Sequence, residues 1–168
     1  MKRTAAWLLL LLSAWPPTAA GAHSRFNAAA RAIDGDTIAA DFRLLGIDAF
    51  ERRQLCARAG ACWPCGKAAQ DLAAHLLNGS NAQISLSRAS SYGRPLATVT
   101  IDGRDLGERL VRAGLAVPQP RYLKSDPERA GLYARAFAAA KRERAGAMSG
   151  RWIEPAHWRR WKRLACEK

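Results

Sequence analysis

Acidic residues are scarce in this chain. Its 168 residues include 14 Asp and Glu against 27 Lys and Arg, a formal net charge of +13 at pH 7. That imbalance points away from cationic partners and toward polyanions: nucleic acid, acidic lipid or acidic polysaccharide. Histidine is scarcer still. His23, His75 and His157 lie far from one another and from the cysteines, which argues against a His/Cys zinc centre. Beyond the first residues no apolar run is long enough to cross a bilayer. No internal repeat is present, and the spacing of Pro, Gly and charge marks no second domain. Strands and helices do not alternate throughout, which excludes a doubly wound sheet.

The start of the chain reads as an export signal. Lys2 and Arg3 precede an apolar run from Ala5 to Trp15, and Ala20-Gly21-Ala22 offers the small residues a signal peptidase accepts. Cleavage is expected after Ala22, with Ala20 the alternative, placing the product in the periplasm or outside the cell. The remainder divides into one domain over 23–153 and a basic, Trp-rich tail over 154–168. Cys56, Cys62, Cys65 and Cys166 all fall in the exported part. An even count in an oxidising compartment points to disulfides, with three full connectivities open. Cys62-Trp63-Pro64-Cys65 also has the spacing of a thiol redox motif. Cys56 is a competing partner nearby, however, and no long βαβ pattern surrounds the motif, so a structural staple is the favoured reading.

Residues 28–33 and 37–40 read as short strands about an Asp34-Gly35-Asp36 corner, with a third strand over 42–47. A cysteine-bearing loop follows. Residues 66–77 then read as a helix, because Ala69, Leu72, Ala73 and Leu76 share one face and Gly79 follows. Ile84 and Leu86 mark a fourth strand and residues 96–101 a fifth, which ends at Asp102-Gly103. Asp105 begins a short helix. Residues 114–120 read as loop because of Pro118 and Pro120. Ser125 is expected to cap a longer helix with Pro127 in its first turn. Strands first, one helix inserted and helices after predict an α+β chain, a small twisted barrel with helices packed outside.

Three carboxylates, Asp36, Asp48 and Glu51, crowd together around Arg43 in an otherwise basic chain. Such a cluster needs neutralising, and hard oxygen ligands suit Ca²⁺ or Mg²⁺. If residues 37–40 pair with 42–47 as a hairpin, Asp36 and Asp48 converge at one end. Arg43 then faces the same cavity, and the turn after Ile47 returns Glu51 to it. The alternative is that Asp34, Asp36 and Asp48 merely shape turns beside Gly35 and Gly46. Arg94, between Tyr92-Gly93 and Pro95, can present a planar fork of donors to phosphate oxygens.

Ordered motifs then narrow the reading. Ala32-Ile33-Asp34-Gly35-Asp36-Thr37-Ile38, Phe42-Arg43-Leu44-Leu45-Gly46-Ile47-Asp48 and Glu51 resemble the thermonuclease family of calcium-dependent, staphylococcal-type nucleases. Tyr92-Gly93-Arg94, Leu110-Val111-Arg112-Ala113-Gly114-Leu115-Ala116 and Gly150-Arg151-Trp152 continue the match, which covers about residues 28–153. The resemblance implies a five-stranded OB-fold-type barrel with three packed helices. It implies Ca²⁺ held by Asp36, Asp48 and the backbone carbonyl of Ala49, with Glu51 positioning or activating water. Arg43 and Arg94 would stabilise charge on the phosphate, and Tyr122 would flank the nucleotide. Hydrolysis of DNA and RNA, single strands favoured, would leave 3′-phosphates, and the protein would act as a monomer. The chain departs from the family at Ala49 for threonine, at Phe50 for proline, and in a shorter segment between Asp36 and Arg43.

Similar exported bacterial relatives carry a cysteine just after the catalytic glutamate and another before the helix. The resemblance thus pairs Cys56 with Cys65, leaving Cys62 for Cys166, with an intermolecular bond or a free thiol as the alternatives. In the tail, His157-Trp158-Arg159-Arg160-Trp161-Lys162-Arg163 interleaves aromatic and basic residues. It could hold nucleic acid by phosphate attraction and stacking, or lie on an acidic surface. It could also be a solvated terminal helix with its tryptophans packed on the body.

Overall fold

The computed structural model describes residues 27–167, so the expected export signal at 1–22 lies outside the described residues. Strands β1 (Ala30–Ala32) and β2 (Ile38–Ala40) pair antiparallel as a two-stranded sheet of their own. Asp34 closes their turn, its Oδ1 accepting from the amides of Asp36 at 3.2 Å and Thr37 at 2.8 Å. All of β1 is exposed, because Ala-Arg-Ala offers little apolar surface to bury.

The next strand does not pair with this hairpin. β3 (Arg43–Leu44) lies parallel to β8 (Arg94–Ile101), so the expected pairing of residues 37–40 with 42–47 is corrected. A two-residue reversal at Asp41-Phe42 would favour left-handed backbone at both positions, and neither adopts it. The Asp41 amide instead extends the first hairpin by donating to the Ala29 carbonyl at 3.2 Å.

Gly46 then divides the expected strand over 42–47. Its φ is +77°, and a Cβ there would lie 2.5 Å from Leu123 Cδ1, so only glycine fits the corner. After it, β4 (Ile47–Ala49) pairs antiparallel with β10 (Ala116–Pro118). The expected loop at 114–120 therefore contains a strand, with Pro118 tolerated at its last position.

Three reversals share one device. Ala59-Gly60, Tyr92-Gly93 and Asp102-Gly103 each have positive φ at both residues, the signature of tight hairpin turns that match strand twist. They join β5 (Cys56–Arg58) to β6 (Ala61–Trp63), β7 (Ala82–Ser91) to β8, and β8 to β9 (Arg104–Asp105). The cysteine-bearing segment expected as loop thus holds a hairpin.

Helices α1 (Cys65–Leu77), α2 (Leu106–Arg112) and α3 (Pro127–Arg142) are the three expected, followed by a short α4 (Pro155–Trp158). Asp126, not Ser125, caps α3 by accepting from the Arg129 amide at 3.0 Å. Leu76, Val99, Ile101, Leu106, Leu110 and Val111 form the main core among α1, α2 and β8. A second cluster of Phe50, Cys56, Cys65, Val117 and Ala147 lies below the β4 end.

The class is α+β, as expected. The described strands form several small sheets rather than one closed barrel, because β3 and β4 are cut short at Gly46 and the first hairpin stays apart. A register shift between Leu86 and Ser90 also interrupts the β7–β8 ladder. Disulfides join Cys56 to Cys65 and Cys62 to Cys166, so Cys62 and Cys65 are not partners and the staple reading holds. No helix among the described residues is long and apolar enough to cross a membrane.

Candidate functional site

Strand periodicity builds one wall of a cavity of about 480 Å³. Arg94 and Leu96 share a face of β8, and Arg43 pairs with Leu96 from the neighbouring strand. The two arginines therefore line the same space. Arg43 Nη1 donates to Ser91 Oγ at 3.4 Å, and its guanidinium lies 5.4 Å from the centre of the Tyr92 ring. Tyr92 projects from the hairpin tip, 84% exposed.

The carboxylates Asp48 and Glu51 line the same cavity. Asp48 lies in β4 opposite Val117, and Glu51 follows the buried Phe50. Phe50 does not loosen this segment. It packs edge-on against Trp152, ring centres 5.6 Å apart, and pins the chain between Asp48 and Glu51. Gln54, fully buried, holds the next turn. Its Oε1 accepts from the Glu51 amide at 3.1 Å, and its Nε2 donates to the Ile153 carbonyl at 2.6 Å. Behind Glu51 stands Gly66, where a Cβ would lie 1.6 Å from the Glu51 carbonyl oxygen.

Asp36 is elsewhere. It sits in the exposed β1–β2 turn, its Oδ1 accepting from Thr37 Oγ1 at 3.2 Å, and does not line the cavity. The cause is the pairing corrected above: without a β2–β3 hairpin, nothing carries Asp36 toward Asp48. Four of the five polar residues expected at one site meet there: Arg43, Asp48, Glu51 and Arg94. Tyr122 also lines the cavity, with the Arg121 guanidinium 4.9 Å from its ring centre. Ala49 is half-buried in β4, paired with Ala116.

The carboxylates meet an unexpected partner. Arg159, just past α4, donates from Nη1 to Asp48 Oδ1 at 3.0 Å and from Nη2 to Asp48 Oδ2 at 2.7 Å. The same Nη1 reaches Glu51 Oε1 at 2.5 Å. Hydrogen bonding to Asp48 raises the Arg159 pKa above its usual range; burial opposes this and Glu51 adds to it. Two carboxylates turned onto one positive centre form the donor set that suits a hard divalent cation, with a guanidinium as the stand-in. Among the described residues, no three His, Cys, Asp or Glu side chains are grouped to hold a metal.

Sequence reading missed Gln54 and Arg121, and it assigned Arg159 and Arg160 to a basic tail without placing them at this cavity. Arg121 was adjacent to the expected Tyr122, and the tail's mixture of basic and aromatic residues was visible, but not that Arg159 and Arg160 line this cavity. Gln54 gave no signal, since a glutamine in a polar loop looks ordinary.

Arginines and paired carboxylates in one cavity suit an anion held beside a cation. No curated protein matches the chain. Residues 41–149, most of the chain, match the family model described as staphylococcal nuclease homologue, a domain with the OB-fold. The chain therefore belongs to the staphylococcal nuclease homologue family, and nuclease action on nucleic acid is what that membership implies.

Proposed function

We propose that this protein is an exported, monomeric, calcium-dependent endonuclease that cleaves DNA and RNA, single strands favoured, to leave 3′-phosphates. One observation carries the reading: Asp48 and Glu51 face a single positive centre in the cavity that Arg43 and Arg94 also line. Asp48 and Glu51 would hold the ion, with the Ala49 carbonyl as a further oxygen. Asp36 would join them only after the β1–β2 hairpin moves toward the cavity. When bound, the ion supplies positive charge against the phosphate oxygens.

The side chains supply the rest. Arg43 and Arg94 donate to the non-bridging oxygens, whose charge grows as the phosphorus becomes five-coordinate. Glu51 accepts a hydrogen bond from the attacking water and takes its proton as the new P–O bond forms. The bond to the 5′-oxygen breaks, that oxygen takes a proton from solvent to become a 5′-hydroxyl, and the phosphate stays on the 3′ side. Tyr122 offers an aromatic face to a base of the bound strand, since stacking tolerates every base.

The decisive experiment is digestion of denatured DNA with calcium or chelator. Wild type should digest with calcium, whereas Glu51→Gln should lose about 10²–10³ in rate while retaining DNA binding, and Arg94→Ala should lose a similar factor in rate. The position of Asp36 outside the cavity favours a second reading, a binding module with impaired catalysis. DNA binding by wild type without digestion at any calcium concentration would select that reading.

A further inference from the structure

Arg159 is not a stray surface arginine. Its segment is fastened on both sides: the Ile153 carbonyl accepts from buried Gln54, and Cys166 is bonded to Cys62. Glu167 adds a third tie, its carboxylate accepting from the amides of Leu55 at 2.9 Å and Leu164 at 3.0 Å and from the Trp158 indole at 3.0 Å. Thus the guanidinium is delivered to the carboxylates by a docked chain, with one-third of its side chain exposed.

The contact uses both Asp48 oxygens and one of Glu51. A calcium ion draws carboxylate oxygens to about 2.3–2.6 Å. A dication at that distance and a guanidinium at hydrogen-bond distance on the same oxygens would repel each other strongly in a partly dry cavity. The two cations therefore exclude one another.

We propose that Arg159 is the resident counter-ion of the Asp48–Glu51 pair, that a divalent cation binds there only by displacing it, and that the docked tail thereby sets the affinity for the ion. This rests on Asp48 and Glu51 being the cation site. Displacement also frees a guanidinium beside Arg43, Arg94 and Arg160, where a phosphate can accept from it. Ion and phosphate therefore help each other to bind: the ion evicts Arg159 from the carboxylates and the phosphate gives it a new partner.

Calorimetric titration of calcium alone into wild type, Arg159→Gln and Asp48→Asn/Arg159→Gln tests this. Arg159→Gln should bind calcium about tenfold or more tightly, within the usual range of coupling between sites, and the double variant should lose that binding. In wild type, calcium should shift the side-chain Nε–H NMR signal of Arg159, identified by its loss in Arg159→Lys. Equal calcium affinity in wild type and Arg159→Gln, abolished by Asp48→Asn, would overturn the competition and leave the cation site standing. An Arg159 signal unmoved while calcium binds would do the same without relying on Arg159→Gln. No calcium uptake by any variant, or uptake indifferent to Asp48→Asn, would overturn the cation site and the competition together.

Discussion

Gly66 is where a missing side chain does most for the site. The first turn of α1 abuts the Glu51 carbonyl so closely that a Cβ has no room, and the Gly66 amide donates to the Gln54 carbonyl at 3.1 Å. The backbone carrying Glu51 is thus held from behind by a helix end and from below by Phe50. Gly66→Ala should destabilise the fold by about 3 kcal/mol through overpacking. Any variant that folds should also lose roughly 10²-fold in nuclease rate, because the clash displaces Glu51, the residue proposed to meet the attacking water. Urea denaturation and initial rates on denatured DNA measure the two effects; unchanged values would show that α1 can shift without cost to Glu51. Sequence could not signal this. Gly66 reads there as an ordinary first-turn residue, and only the packing of α1 on the 51–54 turn makes it irreplaceable. Arg43, Asp48, Glu51 and Arg94 were legible from the carboxylate cluster around an arginine in a basic chain and from the ordered motifs that resemble the family, although the hairpin expected to gather them does not form. Arg159 was not, because a disulfide and a carboxylate far along the chain deliver it.

Among the elements, the joint between α2 and α3 turns on Asp105. It caps α2, its Oδ1 accepting from the Glu108 amide at 2.8 Å, and also accepts from the Tyr133 hydroxyl at 2.8 Å. Arg129, from the first turn of α3, pairs with its other oxygen and donates to Asp126 at 3.0 Å. Burial first, then the charge of Asp105, raises the Tyr133 hydroxyl above its usual range, so it stays a neutral donor. Asp105→Ala removes the α2 cap, leaves the Tyr133 hydroxyl without its acceptor and leaves Arg129 with Asp126 alone, and should cost about 2–4 kcal/mol in urea denaturation. Asp105 does not line the cavity, so the folded variant should digest DNA at the wild-type rate. A loss below 1 kcal/mol would mean that solvent replaces the carboxylate. Element types were well foreshadowed: α1 to α3 follow apolar spacing and capping residues. The misses differ in cause. Residues 116–118 form a strand through β4, a partner distant in sequence, whereas Ala59-Gly60 closes a local hairpin in a segment without apolar alternation, and residues 37–40 and 42–47, neighbours in sequence, do not pair.

For the whole molecule, the carboxy-terminal segment is a fastened strap. Burial pushes the Glu167 carboxyl up, but the Leu55 and Leu164 amides, the Trp158 indole and the charge of Arg163 outweigh it, leaving the pKa below its ordinary 4.5. A lowered folded-state pKa means docking stability that is fully present above 4.5 and is lost as pH falls through the folded value. Trp158 fluorescence should therefore change in acid with a midpoint below pH 4.5, and Glu167→Gln should abolish that transition. A transition unaltered in Glu167→Gln would assign acid release to other groups. The Cys62–Cys166 bond, spanning 104 residues, keeps the strap attached while its hydrogen bonds open.

That attachment makes the last residues part of the cavity wall that Arg159 and Arg160 line. A chain trimmed after residue 149 would retain the whole family-matching stretch yet carry an orphan thiol at Cys62. It would also have a buried Gln54 amide with no acceptor and two bare carboxylates in the cleft. Such a fragment would be a more acidic, less rigid vessel for ions than the chain that keeps its tail.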